Sequence, residues 1–378
     1  MKIAFISKFD PLNRTSWSGI FSSMVRSLER HCGEVTLIQP QTPSLDRVLG
    51  SMSRISQFAT GKRYDWTRSV ALALRHGAWL TQRLRGKRFD AVFSPAGAAQ
   101  LAFLKTSIPI VYSSDATFTL IKDLYDERSQ YLSVFLWEAD FLEQHAIRRA
   151  ATLLYPSEWA AESAVRDYGA QREKVHVFPY GANLETIPQR SDLPARGTDG
   201  PCRLLFLGVD WKRKGGAIAW ETLIELDRMG VSAELTVCGC IPPAGFEHKS
   251  FRVIPFLNKN DPAQEAELRG LLQNAHFLLL PTRGECFGIV FCEAAAYGLP
   301  SIATRTGGVE GAVRDGTNGY LLPPVAGGRD YAALIAGTFG DAVRYQALCA
   351  SSRNRYEQNL NWDVWGKRVK QIMMGLRR

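Results

Sequence analysis

The run Ala275-His-Phe-Leu-Leu-Leu280, closed by Pro281, leaves the surrounding chain little choice of fold. A short apolar run bounded by a proline reads as a buried strand. From about Gly288 the pattern turns helical, with small and apolar residues up to Tyr297 and a stop at Gly298-Leu-Pro300. Strand, short loop and helix is the geometry that places ligands at the carboxyl edge of a parallel sheet. The first N–H groups of that helix, at Gly288, Ile289 and Val290, point out of its start and suit an anion such as a phosphate. Glu285 reaches the same edge from the loop, and Glu293 reaches back to it from one to two turns into the helix. Phosphate at the amides with hydroxyls at two carboxylates describes a sugar nucleotide.

The same alternation runs along the chain. Met1–Ser7 is apolar through its length, as in a parallel sheet covered on both faces. Strand-like runs recur at 34–38, 89–95, 108–114 and 152–157, then at 202–208, 233–239, 251–257 and 301–304, with helical patterns between them. A chain of 378 residues is long for one domain. Residues 184–200, rich in Pro, Asp, Arg and Gly with little apolar periodicity, read as the linker between two. The first turn carries no Gly-x-Gly-x-x-Gly, which argues against a nicotinamide or flavin site.

Glu285 and Glu293 form a Glu-x7-Glu pair inside Gly-Glu-Cys-Phe-Gly-Ile-Val-x-x-Glu-Ala. This resembles the donor-binding signature of the retaining glycosyltransferases of family 4. Three other segments are similar to the family pattern: Lys214-Gly215, the loop Phe256-Leu257-Asn258, and Asp315-Gly-Thr-Asn-Gly319-Tyr-Leu. The resemblance implies an α/β fold of two Rossmann-like domains facing across a cleft (GT-B). Residues 1–183 would form the acceptor-binding domain, 184–359 the sugar-nucleotide-binding domain, and the helix within 360–378 would cross back onto the first. It further implies that Glu293 holds the ribose and Glu285 the sugar, with Phe287 and Gly288 in the same signature. Phe256 and Leu257 would wall the base, and Lys214 would neutralise the diphosphate. Val209 stands where the family has an Arg, so Arg213 or Lys212 supplies the second charge. In the first domain only Gly19 answers to the family's glycine-rich loop. Ser114-Asp115 stands where a His-Asp pair is usual, leaving Asp115 as a sugar or acceptor contact.

The implied activity is retaining, metal-independent transfer of a hexose from a UDP- or GDP-sugar to an acceptor hydroxyl. The acceptor would be a saccharide or a lipid-linked one, in polysaccharide or glycolipid biosynthesis. No separate cofactor is expected, and no Asp-x-Asp metal motif sits in a suitable loop. A sugar-nucleotide epimerase or phosphorylase of related fold, and a non-catalytic nucleotide-sugar-binding protein, are the alternatives.

The seven cysteines are scattered and odd in number, without zinc-finger spacing, which points to reduced structural thiols. No signal peptide and no run near 18 apolar residues is found, so a cytoplasmic protein is expected. Of the net charge of +9, most falls between Leu45 and Asp90, where ten Arg and Lys face three Asp. The pattern there is a pair of amphipathic helices, either packed on the sheet with a solvated basic face or apposed to an anionic membrane at its inner surface. No base-stacking or groove-reading module accompanies the charge, so nucleic acid is not expected as a partner.

Overall fold

The computed structural model describes residues 1–13, 16–40, 43–125 and 127–376, with the side chains of 16, 43–49, 52, 53, 127 and 128 outside the described set. The chain divides into two compact units, Met1–Pro179 with Trp365–Arg378, and Tyr180–Val364.

The N-terminal unit is built on six strands, β1 (Lys2–Ile6), β2 (Glu34–Ile38), β3 (Ala91–Pro95), β4 (Ile110–Ser113), β5 (Thr152–Tyr155) and β6 (Val175–Val177). They pair in the order β2-β1-β3-β4-β5-β6, every pair parallel. Every residue of β3 and β4 is buried, which is why these strands read as unbroken apolar runs. The helices are α1 (Ile20–His31), α2 (Pro43–Thr60), α3 (Val70–Leu84), α4 (Ala98–Leu101), α5 (Phe118–Leu124), α6 (Glu127–Gln130), α7 (Ser133–Arg149) and α8 (Glu158–Arg166).

The second unit repeats the plan with β7 (Cys202–Leu207), β8 (Ala233–Cys238), β9 (Phe251–Ile254), β10 (Phe277–Leu280), β11 (Ser301–Thr304) and β12 (Gly319–Leu322). Their order is β12-β11-β10-β7-β8-β9, again all parallel. Its helices are α9 (Gly216–Arg228), α10 (Pro262–Asn274), α11 (Ile289–Ala296), α12 (Val309–Ala312), α13 (Gly328–Phe339) and α14 (Ala342–Asn359). Two parallel six-stranded sheets flanked by helices are two Rossmann-like domains.

The last helix, α15 (Trp362–Gly375), joins the first unit from Trp365 onward. The Trp365 ring sits edge-on to Phe93 at 5.9 Å, and Gly366 lets the helix close on Ser27 and His31 of α1. Tyr180 stacks on Trp362 at 5.8 Å, and Asn183 accepts a hydrogen bond from the Trp362 indole at 2.9 Å. Those contacts draw Tyr180–Asn183 into the second unit.

Three local expectations shift. The basic amphipathic region is a helix pair, α2 and α3, but α2 does not bury its whole apolar face. Ile55 is 66% and Phe58 95% exposed, and α2 lies against the short turn Trp66–Arg68. Arg47, Val48 and Met52 have side chains outside the described set. The sequence pattern from Glu138 to Ala151 reads as a long helix; it begins a turn earlier, at Ser133, where exposed Val134 and Trp137 give no inward-facing periodicity to read. Tyr331–Ala350, helical by its sequence pattern, is divided between two helices at Gly340 by Asp341, whose carboxylate caps the amide of Arg344 at 3.0 Å.

Among the described residues, no helix is long and apolar enough to cross a membrane.

Candidate functional site

The site is assembled from two loops at the carboxyl edge of the second sheet. After β7, residues 208–215 fold tightly on themselves: the Asp210 carbonyl accepts from Lys214 N at 3.0 Å and its carboxylate from Arg213 N at 3.0 Å. Gly215 adopts a left-handed φ of +78°, and a Cβ there would lie 1.9 Å from the Pro281 carbonyl oxygen. Only glycine permits that approach. The two loops are stitched together by the Arg283 amide, which donates to the Arg213 carbonyl at 2.7 Å.

Glu285 lies in the loop after β10. Its carbonyl accepts from Gly308 N at 3.0 Å, and Gly307 (φ +53°) approaches that same oxygen so closely that a Cβ would meet it at 2.1 Å. Its carboxylate is buried and ion-paired with the buried ammonium of Lys214. Arg213 Nη1 lies 3.8 Å from the same oxygen and donates to the Gly284 carbonyl at 3.1 Å. Gly288 (φ +85°) then starts α11, so Ile289 and Val290 sit in its first turn. Two cations and an open helix start at one sheet edge make a place for an anion.

Glu293, on the second turn of α11, is 2% exposed, and its Oε1 lies 2.5 Å from the ammonium of Lys259. Lys259 is the site residue that the sequence reading missed. It stands one position beyond Phe256-Leu257-Asn258, and nothing in composition or spacing connects it to a carboxylate 34 residues away. Phe256 is 60% exposed and Leu257 half-buried on that loop. Lys212 is exposed, whereas Lys214 and Glu285 are buried. Phe287 faces inward, 2% exposed and edge-on to Tyr180 at 5.3 Å, so its ring is packing rather than open surface. No cluster of three or more His, Cys, Asp or Glu side chains among the described residues is placed to hold a metal ion.

In the N-terminal unit, Gly19 caps α1 with φ +82°, preceded by Trp17 and Ser18, which also carry positive φ; Arg14 and Thr15 of the same loop lie outside the described residues. Asp115 is half-buried after β4, next to Ser114, whose hydroxyl donates to the Ala116 carbonyl at 2.7 Å. Thr117 is buried against Ser163 at 2.6 Å and is occupied in the turn. His145 places Nδ1 2.8 Å from the Phe141 carbonyl one turn back in α7.

The N-terminal unit also holds a buried carboxyl group, Glu143, with the Tyr112 hydroxyl 3.0 and 3.1 Å from its two oxygens. Burial pushes it up to about 7, with Tyr112 and Arg68 opposing and Asp140 and Asp115 adding to the rise. The folded value lies above the ordinary 4.5. The unfolded chain therefore releases this proton first, and the group's contribution is lost as pH rises from about 4.5 through about 7. Glu143→Gln should accordingly stabilise the protein at pH 8 by about 2–3 kcal/mol and have little effect at pH 4. Calorimetry at both pH values checks this, and an equal Tm change at each would contradict it.

Comparisons with known proteins converge on one family. The family described as Glycosyltransferase Family 4 matches residues 21–186, and that described as Glycosyl transferases group 1 matches residues 201–339. D-inositol 3-phosphate glycosyltransferase of Paenarthrobacter aurescens is 26% identical over 260 residues, covering 64% of this chain and 62% of that protein. The matched stretch thus spans less than two thirds of that relative's length. Sucrose-phosphate synthase of Thermosynechococcus elongatus superposes with a TM-score of 0.70 at 17% identity, over 100% of this chain and 99% of the other. Anabaena HepE, solved with UDP and glucose, superposes with a TM-score of 0.61 at 15% identity over 99% and 100%. With two Rossmann-like domains and both family descriptions matched in order along it, the chain belongs to glycosyltransferase family 4, of the GT-B fold.

Proposed function

We propose that this protein is a retaining glycosyltransferase that moves a hexose from a UDP- or GDP-sugar to an acceptor hydroxyl, in polysaccharide or glycolipid biosynthesis. The observation that carries the reading is the convergence of Lys214, Arg213 and Glu285 beside the start of α11. Lys214 and Arg213, with the amides of Gly288, Ile289 and Val290, take the diphosphate as its charge grows on leaving. Fixed donors at such a place act without reorganising during the reaction. They supply the neutralisation without requiring a metal. Glu285 contacts the sugar, Glu293 the ribose, and Phe256 and Leu257 flank the base; Lys212 adds charge at the rim. Gly19 and Asp115 serve the acceptor side.

The UDP and glucose named for Anabaena HepE are consistent with a uridine donor. The basic segment 45–90 favours a lipid-linked acceptor at an anionic membrane surface, which would make the enzyme a cytoplasmic, peripheral one.

The test is a thermal-shift and donor-hydrolysis survey of UDP-, GDP- and ADP-sugars. One nucleotide should stabilise the protein and its sugar should be hydrolysed slowly. No shift and no hydrolysis with any of them would sink the reading.

A further inference from the structure

Glu293 is almost wholly covered: its side chain is 3% exposed, whereas that of its partner Lys259 is 31% exposed. Of the pair, the lysine is therefore the member that faces solvent. Lys259 is held by a firm connection between β9 and α10. Asn258 N donates to Gln264 Oε1 at 2.8 Å, Asn258 Oδ1 accepts from Asn260 N at 3.0 Å, and Asp261 caps α10 through Ala263 N at 2.9 Å. The lysine is thus presented to the carboxylate rather than left to find it.

A hydroxyl that approaches Glu293 must share or displace this ammonium. A charge-assisted bond of this kind is worth about twice a neutral one. One hydroxyl is a poor exchange for it, whereas a vicinal diol brings two donors to one carboxylate. We infer that Lys259 is a specificity-determining residue, a resident competitor for Glu293 that admits an intact ribose and turns away a deoxyribose. The inference rests on the reading of Glu293 as the ribose contact. Selectivity here comes from a built-in opposing interaction rather than an added favourable one.

The test is titration calorimetry of the full chain with UDP and 2′-deoxy-UDP, and with GDP and 2′-deoxy-GDP, on wild type, Lys259→Met, Lys259→Arg and Glu293→Gln. Wild type should prefer the ribonucleotide by about 100-fold. Lys259→Met should bind the ribonucleotide at least as tightly while its preference falls to about tenfold or less. Lys259→Arg, which keeps a cation there, should stay near wild type. A Lys259→Met protein with the wild-type preference, or with ribonucleotide affinity lowered by more than about tenfold, would overturn the proposal, because the lysine would then assist binding. If Glu293→Gln keeps the wild-type preference, or wild type binds neither nucleotide, the ribose reading fails first and this inference falls with it.

Discussion

Replacing Lys214 by alanine is expected to lower turnover on the order of 100-fold, equivalent to about 2.7 kcal/mol of barrier. The magnitude follows from where the ammonium is. It is 8% exposed, ion-paired with Glu285, and delivered by a loop whose geometry is fixed by the left-handed Gly215 against Pro281. A charge already in place within such an enclosed edge loses little to solvent when a diphosphate departs, so its removal falls on the chemical step more than on donor affinity. Arg213 remains 3.8 Å from the Glu285 carboxylate, so that group keeps a cation nearby and the fold survives the substitution. The measurement is kcat and KM for the donor found by the survey above, with Tm as a control on folding. Activity within about threefold of wild type at unchanged Tm would remove Lys214 from the proposed chemistry.

Much of this architecture was legible because parallel strands covered on both faces leave unbroken apolar runs. β10, each of whose residues is fully buried, is the plainest example. The resemblance of the loops after β7 and β10 to the family pattern pointed to Lys214, Arg213 and Glu285, which the fold brings together. Other features required tertiary structure. An amphipathic pattern says which face of α2 is apolar, not that the fold offers a surface to cover it, and so Phe58 came out exposed. Phe287 sits inside a binding signature, yet its ring fills space beside Tyr180. Lys259, in the loop after β9, and Glu293, in the helix after β10, meet in space although β7 and β8 separate those strands in the sheet and α10 separates them in sequence.

Arg196 shows the same limit most sharply and carries the largest stability effect. The stretch 184–200 reads as a polar connection, and nothing in it sets Arg196 apart from Arg190. Arg196 is nonetheless 6% exposed, and among the described residues no carboxylate is hydrogen-bonded to it. Its guanidinium donates to the carbonyls of Leu272 at 2.9 Å and Ala275 at 2.8 Å, which end α10, and to those of Tyr297 at 2.8 Å and Gly298 at 3.3 Å, which end α11. Helix ends leave such carbonyls without partners, and a cation there also opposes the negative pole of the helix. Burial holds this guanidinium below its ordinary value, yet it stays charged at any working pH. One side chain thus fixes the far end of the helix whose start forms the candidate anion site. Arg196→Met fills similar space but leaves four carbonyls unpaired, and is expected to cost about 4 kcal/mol of stability. Arg196→Lys, with one compact donor group in place of a planar fork, should recover only about a third of that. Denaturant unfolding of the three proteins measures both values. A loss below about 1 kcal/mol for Arg196→Met would mean that water replaces the guanidinium at these carbonyls, and that α11 is anchored by its packing alone.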